Sequence, residues 1–155
     1  MSKLARTVSK VKNYPKWVLS FLIGRTVRFV GTSGIQFDEM TENQVIARLS
    51  NKPKVRNHIG QIHAAAMILL AETATGMLVG MNIDDHKIPL IKSIKTNFVR
   101  RSSGSMKAVA TITEEQKSLM KNQDKGEILV AVSVTDESGQ APIECEMLWA
   151  WITKK

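Results

Sequence analysis

The stretch Arg56–Glu72, RNHIGQIHAAAMILLAE, joins a polar loop directly to a long apolar helix. The twenty residues between His63 and Asp84 contain one ionisable side chain, that of Glu72. A buried carboxylate is costly unless something stabilises it, so Glu72 is a functional candidate; a core helix whose Glu72 meets an arginine is the structural alternative. The helix start offers free backbone N–H groups and a positive dipole end, which suit a developing negative charge. The pattern therefore indicates an acyl-transfer site.

The segments on either side of this helix predict one antiparallel sheet. Two strands, at 34–40 and 43–50, precede the helix and meet at a hairpin tip, Glu42-Asn43. Four alternating segments follow it, at 89–101, 106–113, 127–136 and 141–152, and a hairpin loop over 136–140 joins the last two. Residues 114–126 are expected to be a polar connection, with a helical turn as the alternative. The order predicts an α+β fold in which a helix over about 62–82 is wrapped by about six strands.

The N-terminal segment differs from the rest of the chain in charge. Residues 1–37 hold seven Lys/Arg and no acid, whereas the remaining 118 residues hold 15 bases and 14 acids. A helical pattern covers 3–24, and Pro15 is expected to break it in two. Gly31, Ser33 and Gly34 are expected to mark a turn after it. We therefore predict a helical appendage at 1–30 and a single domain at 31–155. Three roles are open for residues 1–24: a packing or dimer-capping helix, a helix with weak membrane-surface contact, or an organelle-targeting peptide.

Composition narrows the classes of function. A nucleic-acid-binding domain would carry its basic residues on the folded body, which is nearly neutral here, so no nucleic acid is expected as a partner. The single cysteine, Cys145, excludes an internal disulfide, and no Cys/His cluster has metal-ligand spacing, so no metal or other cofactor is expected. The helix over 62–82 is long enough to span a bilayer, but Glu72 and the amphipathic strands around it oppose that interpretation. A cytoplasmic location is the simplest expectation, with a peripheral-membrane or organelle-targeted location as the alternative.

The loop and helix carry a recognisable pattern. Asn57, Gly60 and His63, followed by two small residues and later by Glu72, form N-x-x-G-x-x-H-small-small-x6-acid. This pattern resembles the central-helix signature of hotdog-fold acyl-CoA thioesterases of the phenylacetyl-CoA thioesterase (PaaI-like) group. The run NHIGQIHA, with NFVRR at 97–101, most resembles a less characterised branch of that group. The resemblance covers roughly residues 34–152 and implies a hotdog fold for the chain.

The resemblance also implies an activity and a mode of assembly. It predicts a homodimeric hydrolase, whose dimers could pair into tetramers, acting on an acyl-CoA or an acyl-carrier thioester without a cofactor. The family usually has Gly-Gly where this chain has Ala64-Ala65, which narrows the room for the acyl group. Many members have Asp where this chain has Glu72. A non-catalytic acyl-CoA-binding hotdog protein is the first alternative, and a hotdog dehydratase or hydratase, which needs a His/Asp pair, is the second.

Roles for individual residues follow from the same resemblance. Asn57 is expected beside the thioester carbonyl, together with the N–H of Ala64, and Ser93 is expected to position the attacking water. His63 is expected to lock the loop or, as the less common role, to transfer a proton. The residues expected to border the substrate are Gly60, Ala65, Asn97, Arg100 and Arg101. The last two, with Lys92 and Lys95, would form a basic rim for coenzyme A phosphates; solvated strand-end charges are the alternative.

Helix geometry separates the two halves of this site. Glu72 lies nine residues beyond His63, which corresponds to a net half turn and to about 13 Å along the helix axis. A carbonyl held at the helix start and a carboxylate at Glu72 should therefore come from different chains. The stripe Glu72, Gly76, Gly80 suits either close approach of another backbone or tight packing against the sheet.

Overall fold

Residues 2–154, the part of the chain that this computed structural model describes, form a six-stranded antiparallel sheet around one long helix. The helices are α1 (Lys3–Val11), α2 (Lys16–Thr26), α3 (Arg28–Ser33), α4 (Ala64–Asn82) and α5 (Glu114–Asn122). The strands are β1 (Gln36–Met40), β2 (Gln44–Leu49), β3 (Lys87–Phe98), β4 (Met106–Thr111), β5 (Gly126–Asp136) and β6 (Ile143–Thr153). The strand order β1-β2-β4-β5-β6-β3 and the enclosed α4 confirm the predicted hotdog fold.

Helix α4 supplies the centre of the core. Its side chains at 67, 70, 71, 74 and 78 are buried, at the spacing that places them on one helical face. Among the described residues, α4 is the helix whose length and mean hydropathy of 1.6 would let it cross a membrane. Half of this apolar stretch is buried inside the chain, and α4 contacts each strand from β2 to β6. Its hydrophobicity is therefore that of a core helix enclosed by a sheet.

The predicted strands and turns agree with the structure to within a few residues. Thr41 N–H donates to the Gln44 carbonyl at 2.8 Å, which places Glu42-Asn43 at the hairpin tip as predicted. At the other hairpin, Asp136 N–H donates to the Gln140 carbonyl at 3.1 Å. Two irregularities were not predicted, one in β1 between Phe37 and Glu39 and one in β3 between Ile91 and Ser93.

The N-terminal helices share the core of the sheet and α4. Pro15 separates α1 from α2 as predicted, and Ala5, Val8, Ile23 and Val30 are all buried. The turn expected around 31–34 is instead the end of α3, and of that segment only Gly34 takes a positive φ, of 79°. The boundary at residue 30 stays a prediction, but the helices before it pack on the rest of the chain.

Both described ends of the chain are attached near the end of α4. The Ser2 hydroxyl donates to the Met81 carbonyl at 3.1 Å and accepts the Ala5 N–H at 3.0 Å, so it caps α1 and joins it to α4. The backbone N–H of Lys154 donates to the His86 carbonyl at 2.7 Å. The two ends therefore lie at the same end of the central helix.

The polar connection at 114–126 contains a helix of nine residues, α5. A capping box explains its start, because the Thr113 hydroxyl accepts the Gln116 N–H while the Gln116 side chain accepts the Thr113 N–H. At its end, the buried Lys87 Nζ donates to the Met120 carbonyl at 2.8 Å. A cation at this position satisfies carbonyls that a helix end leaves without a partner.

The two glycines of the predicted stripe on α4 contact side chains of this chain. A Cβ at Gly76 would lie 2.7 Å from Trp149 Cη2, and a Cβ at Gly80 would lie 3.2 Å from Leu4 Cδ2. Trp149 belongs to β6 and Leu4 to α1. The stripe therefore serves packing against the sheet and α1, the second of the two interpretations given above.

Gly76→Ala should lower the free energy of unfolding by about 1–3 kcal/mol, because the new methyl group overlaps a buried ring. Gly80→Ala is the matched control: its methyl group meets only the flexible end of Leu4, and removing a helical glycine stabilises by up to about 1 kcal/mol. Urea unfolding of both variants measures the difference. Equal effects would show that the Trp149 ring can move away from Gly76 at little cost.

Candidate active site

The loop before α4 is closed on itself. Arg56 and Ile62 form an isolated antiparallel bridge, and Asn57 N–H donates to the Gln61 carbonyl at 2.8 Å. The side-chain Oδ1 of Asn57 accepts the N–H groups of Ile59 and Gln61, both at 3.1 Å. The Asn57 Nδ2 group has no partner among residues 2–154. Its oxygen therefore shapes the loop, while its amide hydrogens remain available to a ligand.

Further contacts fix this loop to its surroundings. The Nδ2 of Asn51 donates to the Gly60 carbonyl at 3.2 Å, and the Arg56 guanidinium donates to Oδ1 and to the carbonyl of Asn51. Gly60 has a φ of 77°, and a Cβ there would have no neighbour within 4 Å. The positive φ explains why glycine is favoured at the turn. The loop thus holds Asn57 in one position beside the helix start.

His63 is the N-cap of α4. Its Nδ1 accepts the Ala65 N–H at 3.0 Å, and its carbonyl accepts the N–H groups of Ala66 and Met67. This arrangement requires an unprotonated Nδ1, so the neutral ring carries its hydrogen on Nε2. The N–H of Ala64 is left without a partner in the described chain. Of the first two helical N–H groups, Ala64 is therefore the one that a substrate oxygen can still use, and Ala65 is not.

Glu72 lies half-buried in the middle of α4, and no ion pair involves it among the described residues. Burial raises the pKa of Glu72, and the neighbouring Thr73 hydroxyl opposes the shift only in part. Among residues 2–154, no arginine forms an ion pair with Glu72, so the structural alternative of a buried Glu–Arg pair does not apply. A carboxylate without a cation and with a raised pKa is suited to accept a proton near neutral pH.

The backbone around Glu72 is held by a tryptophan of the sheet. Thr75 Oγ1 lies 3.0 Å from the carbonyls of Ala71 and Glu72 and accepts Trp149 Nε1–H at 2.9 Å. Because a hydroxyl has one hydrogen, it is shared between these two carbonyls. The indole that packs against Gly76 thus also anchors the turn of α4 that carries Glu72. The position of the carboxylate along the helix is therefore well determined.

The two halves of the predicted site remain apart within one chain. Ala64 begins α4, and Glu72 follows eight residues later, about 12 Å along the axis at 1.5 Å per residue. Glu72 shares its face of the helix with Ala65, Leu69 and Gly76, which are exposed or half-buried. These positions are less buried than the core positions of α4, although Gly76 still packs against β6. A single small substrate group cannot contact both halves on the same helix.

Ser93 and Asn97 lie in β3. The register pairs Ser93 with Leu148, directly after the irregularity at Ile91/Ser93, and pairs Asn97 with Glu144. The Ser93 hydroxyl is half-buried and makes no hydrogen bond within the described chain. Its predicted role of positioning the attacking water stays a prediction, and no hydrogen bond joins it to Glu72 within residues 2–154.

Most of the predicted basic rim is neutralised by acids. Arg100 Nη2 bonds Asp136 Oδ2 and Ser138 Oγ, each at 2.7 Å, so this side chain holds the β5–β6 turn. Burial favours a higher pKa for Asp136, but hydrogen bonds from Ser138, from the Ser103 N–H and from Arg100 outweigh it and lower the pKa. The Arg100 guanidinium is thus already engaged by Asp136, and its predicted place at the substrate border stays a prediction.

The other members of the basic rim differ in whether an acid neutralises them. Lys92 pairs with Glu127, and Lys95 Nζ lies 3.4 Å from Glu146. Arg101 is exposed and has no ion pair among residues 2–154. Of the predicted cations, Arg101 is thus the one still available to a substrate phosphate. Among the described residues, 2–154, no three His, Cys, Asp or Glu side chains lie close enough together to hold a metal ion.

Comparison with known proteins agrees with this architecture. The sequence profile of a family described as a domain of unknown function, DUF4442, matches residues 15–152. A search of the curated proteins finds no match.

Solved structures with this fold include three bacterial proteins. A Pseudomonas aeruginosa protein, described as a probable thioesterase of unknown function, is 24% identical, with a TM-score of 0.78 over 90% of this chain and 97% of its own. A Haemophilus influenzae thioesterase is 18% identical, with a TM-score of 0.71 over 90% and 92%. A Staphylococcus aureus thioesterase is 20% identical, with a TM-score of 0.68 over 81% and 98%. At these identities the likeness shows a shared fold.

Glu72→Gln should leave the free energy of unfolding unchanged or higher near neutral pH, since it removes a buried charge. The folded-state pKa of Glu72 is raised above the ordinary value of about 4.5. Its contribution to stability is therefore fully present below the unfolded-state pKa and is lost as pH rises through the folded-state pKa. The stability of the variant relative to the native chain should therefore increase as the pH rises above the unfolded-state pKa of about 4.5. Urea unfolding at several pH values measures this, and a difference that is constant with pH would contradict the raised pKa.

Proposed function

We propose that this chain, which belongs to the DUF4442 family and has the hotdog fold, hydrolyses an acyl-CoA or a related acyl thioester. The observation that carries the proposal is the combination at α4. Among residues 2–154, the helix start leaves the Ala64 N–H and the Asn57 Nδ2 group without partners, and the middle of the helix holds Glu72 without a cation. The thioesterase names of the Haemophilus and Staphylococcus proteins with this fold support the same chemistry.

The donors at the helix start would stabilise the oxygen of the thioester carbonyl. In the transition state of hydrolysis this oxygen gains negative charge, and fixed N–H donors bind the charged form more strongly than the ground state. Ala64 contributes a backbone donor and the positive end of the helix dipole, and Asn57 contributes Nδ2–H. His63 acts as a positioning residue, because its Nδ1 occupies the Ala65 N–H and leaves that of Ala64 free.

Glu72 would act on the other side of the carbonyl carbon. As a general base it takes a proton from water while the water oxygen attacks the carbon; the C–S bond then breaks, and the thiolate receives that proton. As a nucleophile it forms an anhydride and expels the thiolate, and water then hydrolyses the anhydride. Ser93 is proposed to orient the water. A pKa raised by burial favours either role, because the carboxylate is then more basic than an exposed one.

A dimer with composite sites is part of the proposal. The edge strand β3 is twelve residues long, pairs only with β6, and exposes Leu90 and Ile94 by 46% and 40%. A long edge strand with exposed apolar side chains is a surface on which another strand can pair. Joining two copies at this edge would bring the α4 face with Glu72 towards the α4 start of the partner. The two halves of one site then come from different chains, so the separation of about 12 Å along one helix does not keep them apart.

The acyl and thiol portions of the substrate have fewer candidate contacts than the thioester carbonyl. Ala64 and Ala65 carry methyl groups where glycines would leave more room, which favours a narrow acyl group near the carbonyl. Arg101 is the side chain that we propose for a phosphate of coenzyme A or of a carrier-protein prosthetic group. We expect the enzyme to act in the cytoplasm without a bound cofactor.

Two other functions are distinguishable by direct assay. A binding protein that retains an acyl-CoA without turnover would bind it in calorimetry but release no free thiol. A hydratase would add water to an enoyl-CoA, and that reaction needs a His/Asp pair. His63 is already used as the α4 cap, which disfavours the second alternative. Free-thiol release from a panel of acyl-CoA substrates of increasing length and branching is the primary test.

The two functions of the Asn57 side chain can be separated by two substitutions. Asn57→Asp keeps the acceptor for Ile59 and Gln61 but removes the Nδ2 donor, so the loop should stay folded while kcat/KM falls by about 10²–10³. Asn57→Ala should lose the donor and also about 1–2 kcal/mol of stability, because the two loop N–H groups lose their acceptor. Thermal unfolding and thioester kinetics of both variants provide the measurement. A fully active Asn57→Asp protein would exclude the amide from carbonyl binding.

The composite site can be tested by mixing two inactive variants. Asn57→Asp damages the half at the helix start, and Glu72→Gln should lower turnover by at least about 10² by removing the base. After unfolding and joint refolding, half of the dimers are mixed, and each mixed dimer has one intact site of two. About a quarter of native activity should therefore return.

A mixture of Glu72→Gln with Glu72→Ala is the control, because each site in its mixed dimer lacks the carboxylate. It should stay inactive. If the Asn57→Asp and Glu72→Gln mixture also stays inactive while exchange of subunits is demonstrated by mass labels, the site does not span two chains.

A further inference from the structure

Helices α2 and α3 carry large apolar side chains on the outside of the protein. The exposed fractions are 64% for Trp17, 56% for Phe21 and 65% for Phe29, and Leu22 and Val27 are each 38% exposed. We refer to these five residues, with Lys16, Arg25 and Arg28, as the α2–α3 face.

Helix α2 is apolar on two opposite sides. Leu19 and Ile23 pack towards the core, and Ser20 Oγ accepts the Phe37 N–H of β1 at 2.9 Å, so this side is fully used. Trp17 and Phe21 are four residues apart and share the other side. A helix on the surface of a soluble domain normally presents polar residues outward. The outward aromatic residues of α2 therefore need an explanation other than folding.

The corner between α2 and α3 is tightly packed. A Cβ at Gly31 would lie 2.6 Å from the Gly24 carbonyl oxygen, and a Cβ at Gly24 would lie 3.0 Å from Gly31 Cα. The two backbones thus touch where neither residue has a side chain. This contact holds α3 against the end of α2, so Phe29 belongs to the same surface as the exposed side chains of α2.

The basic residues at and near the α2–α3 face have no acidic partners, whereas Arg6 of α1 pairs with Asp85. Residues 1–37 contain no Asp or Glu, and none of Lys10, Lys12, Lys16, Arg25 and Arg28 forms an ion pair within the described chain. Arg25 instead lies 6.0 Å from the centroid of the Phe21 ring. On the sheet, by contrast, Arg48, Lys92 and Lys95 all pair with acids. With seven bases and no acid in residues 1–37, and 15 bases against 14 acids in the other 118 residues, the excess positive charge lies on the segment that carries the exposed aromatic residues.

We propose that the α2–α3 face binds the surface of an anionic lipid bilayer. Tryptophan and other aromatic rings favour the headgroup level of a bilayer, and unpaired cations beside them are attracted to anionic lipids. α2 lies parallel to the bilayer plane with Trp17 and Phe21 inserted, while Lys16, Arg25 and Arg28 contact phosphates. A second copy of this chain is a poorer occupant, because a two-fold contact places the same uncompensated cations against each other.

Tryptophan fluorescence offers a specific reporter in the full-length protein. Trp149 and Trp151 are 5% and 0% exposed, so a change of emission on binding arises from Trp17. Vesicles of phosphatidylcholine alone, or with about 30% phosphatidylserine, should be compared by flotation and by fluorescence at low and high salt. We expect binding and a blue shift with the anionic vesicles, both weakened by salt. Absence of binding to anionic vesicles at low salt overturns the proposal.

Matched variants separate this face from net charge. The triple variant Lys16→Gln, Arg25→Gln, Arg28→Gln should bind anionic vesicles about a hundredfold more weakly. The triple variant Lys107→Gln, Lys121→Gln, Lys125→Gln has the same net charge and should bind nearly as well as the native chain. Equal losses in both would mean that binding is non-specific and would overturn the assignment to α2–α3.

A further variant tests the aromatic residues. Trp17→Ser with Phe21→Ser should abolish insertion while circular dichroism and the oligomeric state by light scattering remain unchanged, since both side chains are exposed. If this variant instead changes the oligomeric state and keeps its vesicle binding, the α2–α3 face is an interface between copies and the proposal is wrong.

Discussion

The packing of α4 into the curved sheet is the constraint on which the rest of this protein depends. Trp149 of β6 lies against Gly76 and donates its indole N–H to Thr75, so one side chain sets both the distance and the rotation of the helix. With that rotation fixed, the apolar positions of α4 are buried in the core and Glu72 is left half-buried. The loop before α4 is closed by its own hydrogen bonds and orients the helix start. The fold and the candidate site thus share one structural cause.

Much of the fold was predictable because its signals are local. The apolar run of α4, the alternating strands and the two hairpin tips each follow from a few neighbouring residues, and their boundaries are correct to within a few positions. α5 was underestimated although Thr113 and Gln116 carry a capping-box signal, because its polar composition resembles that of a loop. α3 was taken for a turn because it contains two of the small residues, Gly31 and Ser33, that usually mark one.

Features that depend on pairing across the chain were not predictable. Arg100 looks free in the sequence, yet the pairing of β3 with β6 places it beside the β5–β6 turn, where it meets Asp136 from 36 residues away. The roles of Gly76 and Gly80 depended on which large side chains would face them. The position of Ser93 depends on an irregularity in β3 that shifts the pairing by one residue. At the α4 loop, by contrast, Asn57, Gly60 and His63 act on residues two to four positions away, which is why the sequence pattern was informative there.

The attachment of both chain ends near the end of α4 has a practical consequence for protein engineering. Ser2 contacts Met81, and Lys154 contacts His86, whereas Asn57 and Ala64 lie at the opposite end of a helix about 28 Å long. Fluorescent proteins or immobilisation tags fused to either terminus would therefore be distant from the helix start. The two ends are also near enough for a short linker to join them, so the chain is a good candidate for circular permutation with new termini in an exposed hairpin such as 137–139.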